Sequence, residues 1–229
     1  MPYRDRRPHT PIYKLLWWQL YHAITWVWFK LCYRFRSDGI ANVPTTGPVL
    51  LLSNHQSFLD PIIVNLGIPH RQCIALARKT LWGSAIYRFL VIPFDAIPVD
   101  QDNPGDLKAM KGCIDALKND QAMMLFPEGS RTPDGTTQEF EAGLMLLVKR
   151  AKPTVVPVAL EGAYDAWPNT QSKPKAFGRI ACRYGKPIAA DELLAMGNDA
   201  AREHLRTTVE TMRLELRDQL GMPVQSPDR

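Results

Sequence analysis

The sequence predicts an α/β layered domain preceded by an aromatic helical segment. Short apolar runs of strand length alternate with segments of helical period along most of the chain. The 229 residues suffice for one substantial core, and a composition of 45% hydrophobic and 22% charged residues is that of a globular chain rather than a disordered one. Four of the six tryptophans (Trp17, Trp18, Trp26 and Trp28) crowd into residues 12–35, which sets that stretch apart from the rest.

Residues 1–11, with Arg4, Arg6 and Arg7 among three prolines, read as a flexible basic arm. Residues 12–35 are nearly long enough to span a bilayer, but Lys14, Gln19, His22 and Lys30 make them wet and nine aromatics make them interfacial. Arginines flank the stretch at Arg6, Arg7, Arg34 and Arg36. The pattern favours an interfacial helix or helical hairpin lying on one leaflet. A core helix and a true span stand as alternatives. No small-residue cleavage site follows, which argues against a secretory signal.

Residues 37–48 are turn-rich. A buried strand is expected at 49–52, then a helix at 61–66 with Asp60 as N-cap, Pro61 at its first position and Gly67 near its end. A second strand is expected at 72–77, running into Arg78-Lys79. Residues 81–90 have helical spacing, and 92–99 are extended. A helix over 106–117 is capped by Asn103 or Asp106. Strands at 121–126 and 154–160 bracket a helix at 140–149, and 176–184 reads as a fifth strand. Leu205, Val209, Met212, Leu216 and Leu220 recur at helical steps, predicting one amphipathic helix over 190–220, stopped by Gly221 and Pro223.

Open α/β sheets place their chemistry at the carboxyl ends of strands. The ends here carry Asn54-His55, Arg78-Lys79 and Glu128-Gly129-Ser130-Arg131. His55 with Asp60 five residues on suits a general base with an orienting carboxylate. Arg131 is suited to bidentate phosphate binding and Lys79 to a point charge. Gly129 permits close backbone approach, and Glu128 is placed to accept substrate hydroxyls or to hold Arg131. Asn54 is a substrate-binding candidate, and with Ser57 a candidate for orienting the loop. A net charge of +5 favours anionic partners, but the stacked aromatics of an RNA-binding sheet are missing, so nucleic acid is excluded as a partner. No Gly-x-Ser-x-Gly, Walker or Gly-x-Gly-x-x-Gly motif is present. Cys32, Cys73, Cys113 and Cys182 form no close pair, and no metal site is expected.

Asn54-His55-Gln-Ser-Phe-Leu-Asp60 resembles the Asn-His-x4-Asp motif of the glycerolipid (lysophosphatidate-type) acyltransferases. Phe126-Pro-Glu128-Gly129-Ser130-Arg131-Thr132 is similar to their second motif, 73 positions after His55. Val156-Pro157-Val158 resembles their Val-Pro-Val block, Lys79 falls where they carry a phosphate-binding lysine, and Phe140 to Gly143 resembles the start of their next helix. The resemblance covers about residues 45–190. It departs at Gln101, which stands where the family often has a phosphate-binding arginine, so that phosphate binding is expected to rest on Arg131 and Lys79.

The resemblance implies a glycerol-3-phosphate acyltransferase-like sandwich of a mostly parallel sheet flanked by helices. With the composition of the two ends it gives three parts: a basic arm and aromatic membrane-associated helical segment over 1–36, an acyltransferase domain over 37–220 and a flexible tail over 221–229. It further implies transfer of an acyl group from acyl-CoA or acyl carrier protein to the hydroxyl of a lysophospholipid, with 1-acylglycerol-3-phosphate the leading acceptor. The thioester is a substrate, and no cofactor is required. Substrate hydroxyl takes the place of an enzyme nucleophile, so no acyl-enzyme is expected. The implied location is the cytoplasmic face of the inner or plasma membrane, with the bilayer as partner. A non-catalytic lipid-binding module and a hydrolase or acyltransferase acting on another lyso-lipid are the alternatives.

Overall fold

The computed structural model describes residues 12–79, 96–100 and 106–223. The basic arm, the expected helix over 81–90, Gln101, Asn103 and the end of the tail lie outside the described residues. Among those described, the strands are β1 (Arg36–Asp38), β2 (Val49–Ser53), β3 (Cys73–Arg78), β4 (Ile97–Val99), β5 (Ala122–Leu125), β6 (Thr154–Glu161) and β7 (Ala181–Tyr184). They form one sheet in the order β1-β7-β6-β2-β5-β3-β4. The run from β6 to β4 is parallel. β7 lies antiparallel to β6, and β1 pairs parallel with β7. The expected mostly parallel sheet is therefore present, with a reversed pair at one edge.

β2 sits between β6 and β5, and every one of its residues is buried. Val49 and Leu51 enter one core with Phe29, Tyr33, Ile63 and Tyr184. Leu50 and Leu52 enter the opposite core with Leu117, Phe140, Leu144 and Leu205. A strand covered on both faces needs apolar residues at every position, which is why this one reads as an unbroken run. Leu51→Ala would remove about 2–5 kcal/mol of stability.

The α-helices among the described residues are α1 (Ile12–Tyr33), α2 (Asp60–Leu66), α3 (Leu107–Lys118), α4 (Gly143–Ala151), α5 (Ala163–Ala166), α6 (Ala190–Ala195) and α7 (Asn198–Gln219). Several differ from expectation for local reasons. The helix expected over 190–220 is broken at Gly197, whose φ of +84° no helix accommodates. Helix α4 starts at Gly143 rather than at 140, because the backbone of Glu141 is bound by Pro127 O. Of the fifth strand only β7 is extended in the sheet; Gly178 and Ile180 give their N–H groups to Cys32 and Tyr33 at the end of α1. The turn-rich entry contains β1. Helix α3 is capped by Asp106, which accepts from Lys108 and Ala109 N–H at 3.0 Å each.

Helix α1 is one continuous helix, not a hairpin. Trp18, Thr25, Phe29 and Tyr33 form its buried stripe, and His22 binds Leu66 O at the end of α2. The other side exposes Tyr13, Leu16, Leu20, Ile24, Val27 and Leu31. Both sides are apolar, so the helix has the composition of a buried element and the burial of a surface one. Among the described residues no helix is long and apolar enough to cross a membrane.

Candidate active site

The site is built where β2 and β5 end. After Ser53, Asn54 turns inward and is 1% exposed. Its amide binds the backbone of Leu160 twice, donating to the carbonyl (2.9 Å) and accepting from the N–H (2.8 Å). Both halves of the amide are consumed in tying β2 to β6, which corrects the expectation that Asn54 binds substrate. Ser57 acts in the same way through its hydroxyl, which donates to Trp167 O (2.8 Å). Gln56, fully buried, spans from Gly135 O to Tyr164 N. Three polar side chains flanking His55, those of Asn54, Gln56 and Ser57, thus serve to hold its loop.

His55 Nδ1 donates to Asp60 Oδ2 at 2.7 Å. The same oxygen accepts from Gln56 N–H (2.6 Å) and Ser57 N–H (2.7 Å). Asp60 is therefore not the N-cap expected. It is the first residue of α2, and its carboxylate turns back into the loop rather than forward onto the helix. Burial pushes the Asp60 carboxyl above its ordinary range, while His55 and the two N–H groups pull it back. Its Oδ1 is buried without a hydrogen-bond partner among the described residues. With Nδ1 facing Asp60, the imidazole presents Nε2 as its basic nitrogen. The ring is half-buried and stacks on Phe126, centroids 4.3 Å apart and planes 21° from parallel.

The two motifs close on each other through the backbone of His55. Its N–H donates to Glu128 Oε1 (2.9 Å), and its carbonyl accepts from Thr132 N–H (2.8 Å). Glu128 is 8% exposed. Burial pushes its carboxyl up to about 8; the N–H groups of His55 and Gln138 oppose the shift, and Asp60 and Glu210 add to it. Gly129 follows with φ +70°, a conformation that strains any residue with a Cβ. Gly129 and Ser130 are exposed, and Arg131 lays its guanidinium over the Phe58 ring at 3.4 Å. Phe58 also lies 5.0 Å from Trp167. The sequence reading passed over Phe58, Gln56 and Trp167; the aromatic between His55 and Asp60 was the one available signal.

Lys79 is placed apart from this group. It follows β3, two strands from β2 and so about 10 Å across the sheet. Its ammonium pairs with Asp100 at 3.0 Å, the lysine exposed and the aspartate partly so. That pairing and Coulomb attraction hold its pKa above the ordinary lysine value. A phosphate drawn to Lys79 would have to compete with Asp100.

Behind the site, Glu161 ends β6 and is completely buried. Arg213 and Arg217 of α7 each reach it at 2.6 Å. Arg213 also holds Glu210, whose carboxylate accepts the N–H of Thr137 in the segment that follows Arg131. Helix α7 is thereby fastened to both β6 and the segment adjoining the second motif.

A family model described as Acyltransferase matches residues 34–161, more than half of the chain. The chain is similar to a chloroplastic 1-acyl-sn-glycerol-3-phosphate acyltransferase of Arabidopsis thaliana, 24% identical over 189 residues, which are 80% of this chain and 52% of that protein. It is 28% identical to the 1-acyl-sn-glycerol-3-phosphate acyltransferase of Streptococcus pneumoniae over 163 residues, 71% of this chain and 58% of that one. The chain spans just over half the length of these two relatives. The crystal structure of the 1-acyl-sn-glycerophosphate acyltransferase PlsC from Thermotoga maritima has the same fold, with a TM-score of 0.75 and 20% identity over 89% of this chain and 79% of that one.

Proposed function

The chain belongs to the acyltransferase family, and on that premise we propose that it moves a fatty acyl group from a thioester to the free hydroxyl of a lysophospholipid. The acceptor named by its relatives, 1-acyl-sn-glycerol-3-phosphate, is the first candidate, and acyl-CoA or acyl carrier protein is the donor. The observation that carries the reading is the His55–Asp60 pair, its carboxylate fixed by three donors converging on one oxygen. An imidazole so held has a defined tautomer and an imidazolium-stabilising partner.

In the proposed reaction His55 Nε2 takes the proton of the lysophospholipid hydroxyl as its oxygen attacks the thioester carbonyl. The tetrahedral adduct expels the thiolate, and the imidazolium returns the proton to it. The products are an ester and a free thiol, with no acyl group left on the protein. Arg131, held flat on Phe58, is the proposed phosphate ligand, with Gly129 and Ser130 as the exposed backbone beside it. Glu128 is proposed to act first on the protein itself, by holding the His55 backbone. Lys79 would assist at longer range.

Residues 37–220 are proposed to carry this chemistry and residues 1–36 to bring it to the lipid. The outward face of α1 supports the second part: six exposed apolar side chains in one stripe suit the boundary of a leaflet. The cytoplasmic face of the inner or plasma membrane is the proposed location, where such donors are made.

The test is a product profile by mass spectrometry after incubation with mixed thioesters and lysophospholipids. The wild type should form diacyl product, and His55→Ala should lose about 10²–10⁴-fold in rate with its circular dichroism unchanged. Free fatty acid as the main product would replace the transferase reading by a hydrolase. Tight acceptor binding with no turnover of any donor would replace it by a binding module.

A further inference from the structure

We propose that a groove at the β1 edge of the sheet is a second lipid site, separate from the reaction site, which holds the anionic headgroup of a bilayer phospholipid. The groove encloses about 360 Å³. Ala181, Leu216 and Leu220 give it apolar walls, and Lys30 and Arg36 stand at its rim, both exposed. Asp38 is the one carboxylate in the lining, and Arg183 holds it through Nε and Nη2 at 3.0–3.1 Å while also binding Glu215 at 2.6 Å. Two carboxylates thus share Arg183, and with Lys30 and Arg36 the net charge of these five groups is +1 (three cations less two anions). Lys30 is further fixed with its ammonium over the Trp26 ring, 5.3 Å from the centroid.

Placement favours a lipid over a free anion. Lys30 lies in the last turns of α1, beside the exposed apolar Val27 and Leu31. A cation flanking an apolar helix face, next to a tryptophan, is suited to the headgroup level of a bilayer. The sheet register sets the height. Arg36 pairs with Ala181, and Ala181 pairs with Glu161, the last residue of β6. The reaction site opens at that same end of the sheet, where Asn54 is tied to Leu160. A phospholipid held in the groove would thus turn the reaction end of the sheet toward the surface from which an acceptor arrives. Inorganic phosphate would use the two cations and leave the apolar walls without a role.

The experiment is co-sedimentation of the full chain with vesicles of phosphatidylcholine alone or mixed with phosphatidylglycerol. Three forms are compared: wild type, Lys30→Gln/Arg36→Gln, and Lys149→Gln/Arg150→Gln, the last an exposed basic pair at the end of α4. The groove pair should weaken binding to anionic vesicles roughly 30-fold and the control pair less than about 3-fold, with binding to neutral vesicles unchanged. Short-chain phosphatidylglycerol should displace the wild type from vesicles at concentrations where inorganic phosphate of equal ionic strength does not. Equal losses for the two pairs would reduce the effect to diffuse basic charge, and no loss for the groove pair would remove the site. Equal displacement by phosphate would make it an anion site without a lipid. Binding is read without turnover, so these outcomes stand apart from the success or failure of the acyl-transfer reading.

Discussion

Two buried carboxylates stand at the ends of the strands on either side of β2 and are compensated to different degrees. Glu161 meets two guanidinium groups, one on each oxygen, and its charge is balanced where it sits. Glu128 is held by backbone N–H groups, which do not offset its burial, and its carboxyl is driven up to about 8. Asp60 lies between the extremes, with one imidazole and two N–H groups on a single oxygen and, among the described residues, none on the other. The compensated carboxylate belongs to the architecture that joins α7 to β6. The under-compensated pair frames His55. Unfavourable electrostatics concentrated around His55 at the ends of β2 and β5, with an ion-paired group at the end of β6, is the pattern expected where chemistry is done.

Replacing each group should separate the two kinds. Asp60→Asn keeps the size of the side chain and removes the charge that orients His55. Its turnover should fall about 10³–10⁴-fold, the scale of disabling the carboxylate of a His–Asp pair, while the melting temperature moves little. A loss under tenfold in a folded variant would place Asp60 with Glu161 as architecture. Arg213→Met should do the reverse. Breaking one side of a buried ion pair costs about 3–5 kcal/mol, seen as a lower urea midpoint, and the folded fraction should keep turnover within about tenfold. An unchanged midpoint would mean that Arg217 alone compensates Glu161.

Glu128 carries a larger pH signature than Glu161, whose carboxyl burial also raises but Arg213 and Arg217 pull back. Its carboxyl is raised from 4.5 to about 8, so between those values the folded chain keeps a proton that the unfolded chain releases. Stability from this group is full below pH 4.5 and is lost as pH rises toward 8, by roughly a few kcal/mol. Unfolding in urea at a series of pH values should show that decline in the wild type and a flatter line in Glu128→Gln. An equally steep line in the variant would assign the slope elsewhere. The smallest effect belongs to Phe58→Leu. Losing the ring under Arg131 should raise the acceptor KM about threefold to fivefold and leave kcat near its wild-type value. A fall in kcat with KM unchanged would show that Phe58 acts on the His55 loop instead.

The unbroken apolar run of β2 was legible because a strand buried on both faces leaves no alternation to confuse it. The pairing of His55 with Asp60 was legible because five residues of loop bring the two together locally. Asn54 was misread: a polar residue beside a candidate base looks available, and only the approach of Leu160, 106 positions away, shows its amide already used. The Glu161–Arg213–Arg217 cluster was invisible for the same reason, since its members come from a strand and a helix far apart in the chain. The break at Gly197 was missed because the apolar period of 205–220 was extended back through a glycine. Helix α1 was legible only in part. Apolar residues recur on every side of it, and only the packing of Trp18, Phe29 and Tyr33 shows which side is core and which is left facing outward.

The central claim is that His55 and Asp60 work as one unit on the acceptor hydroxyl. It is tested most directly by rates of ester formation from a thioester for His55→Ala, Asp60→Asn and the double variant, each shown to be folded. Residues that act as a unit are strongly non-additive, so the double variant should be no slower than His55→Ala alone. A double variant slower by the product of the two single losses, or a His55→Ala enzyme that retains full rate, would contradict the account.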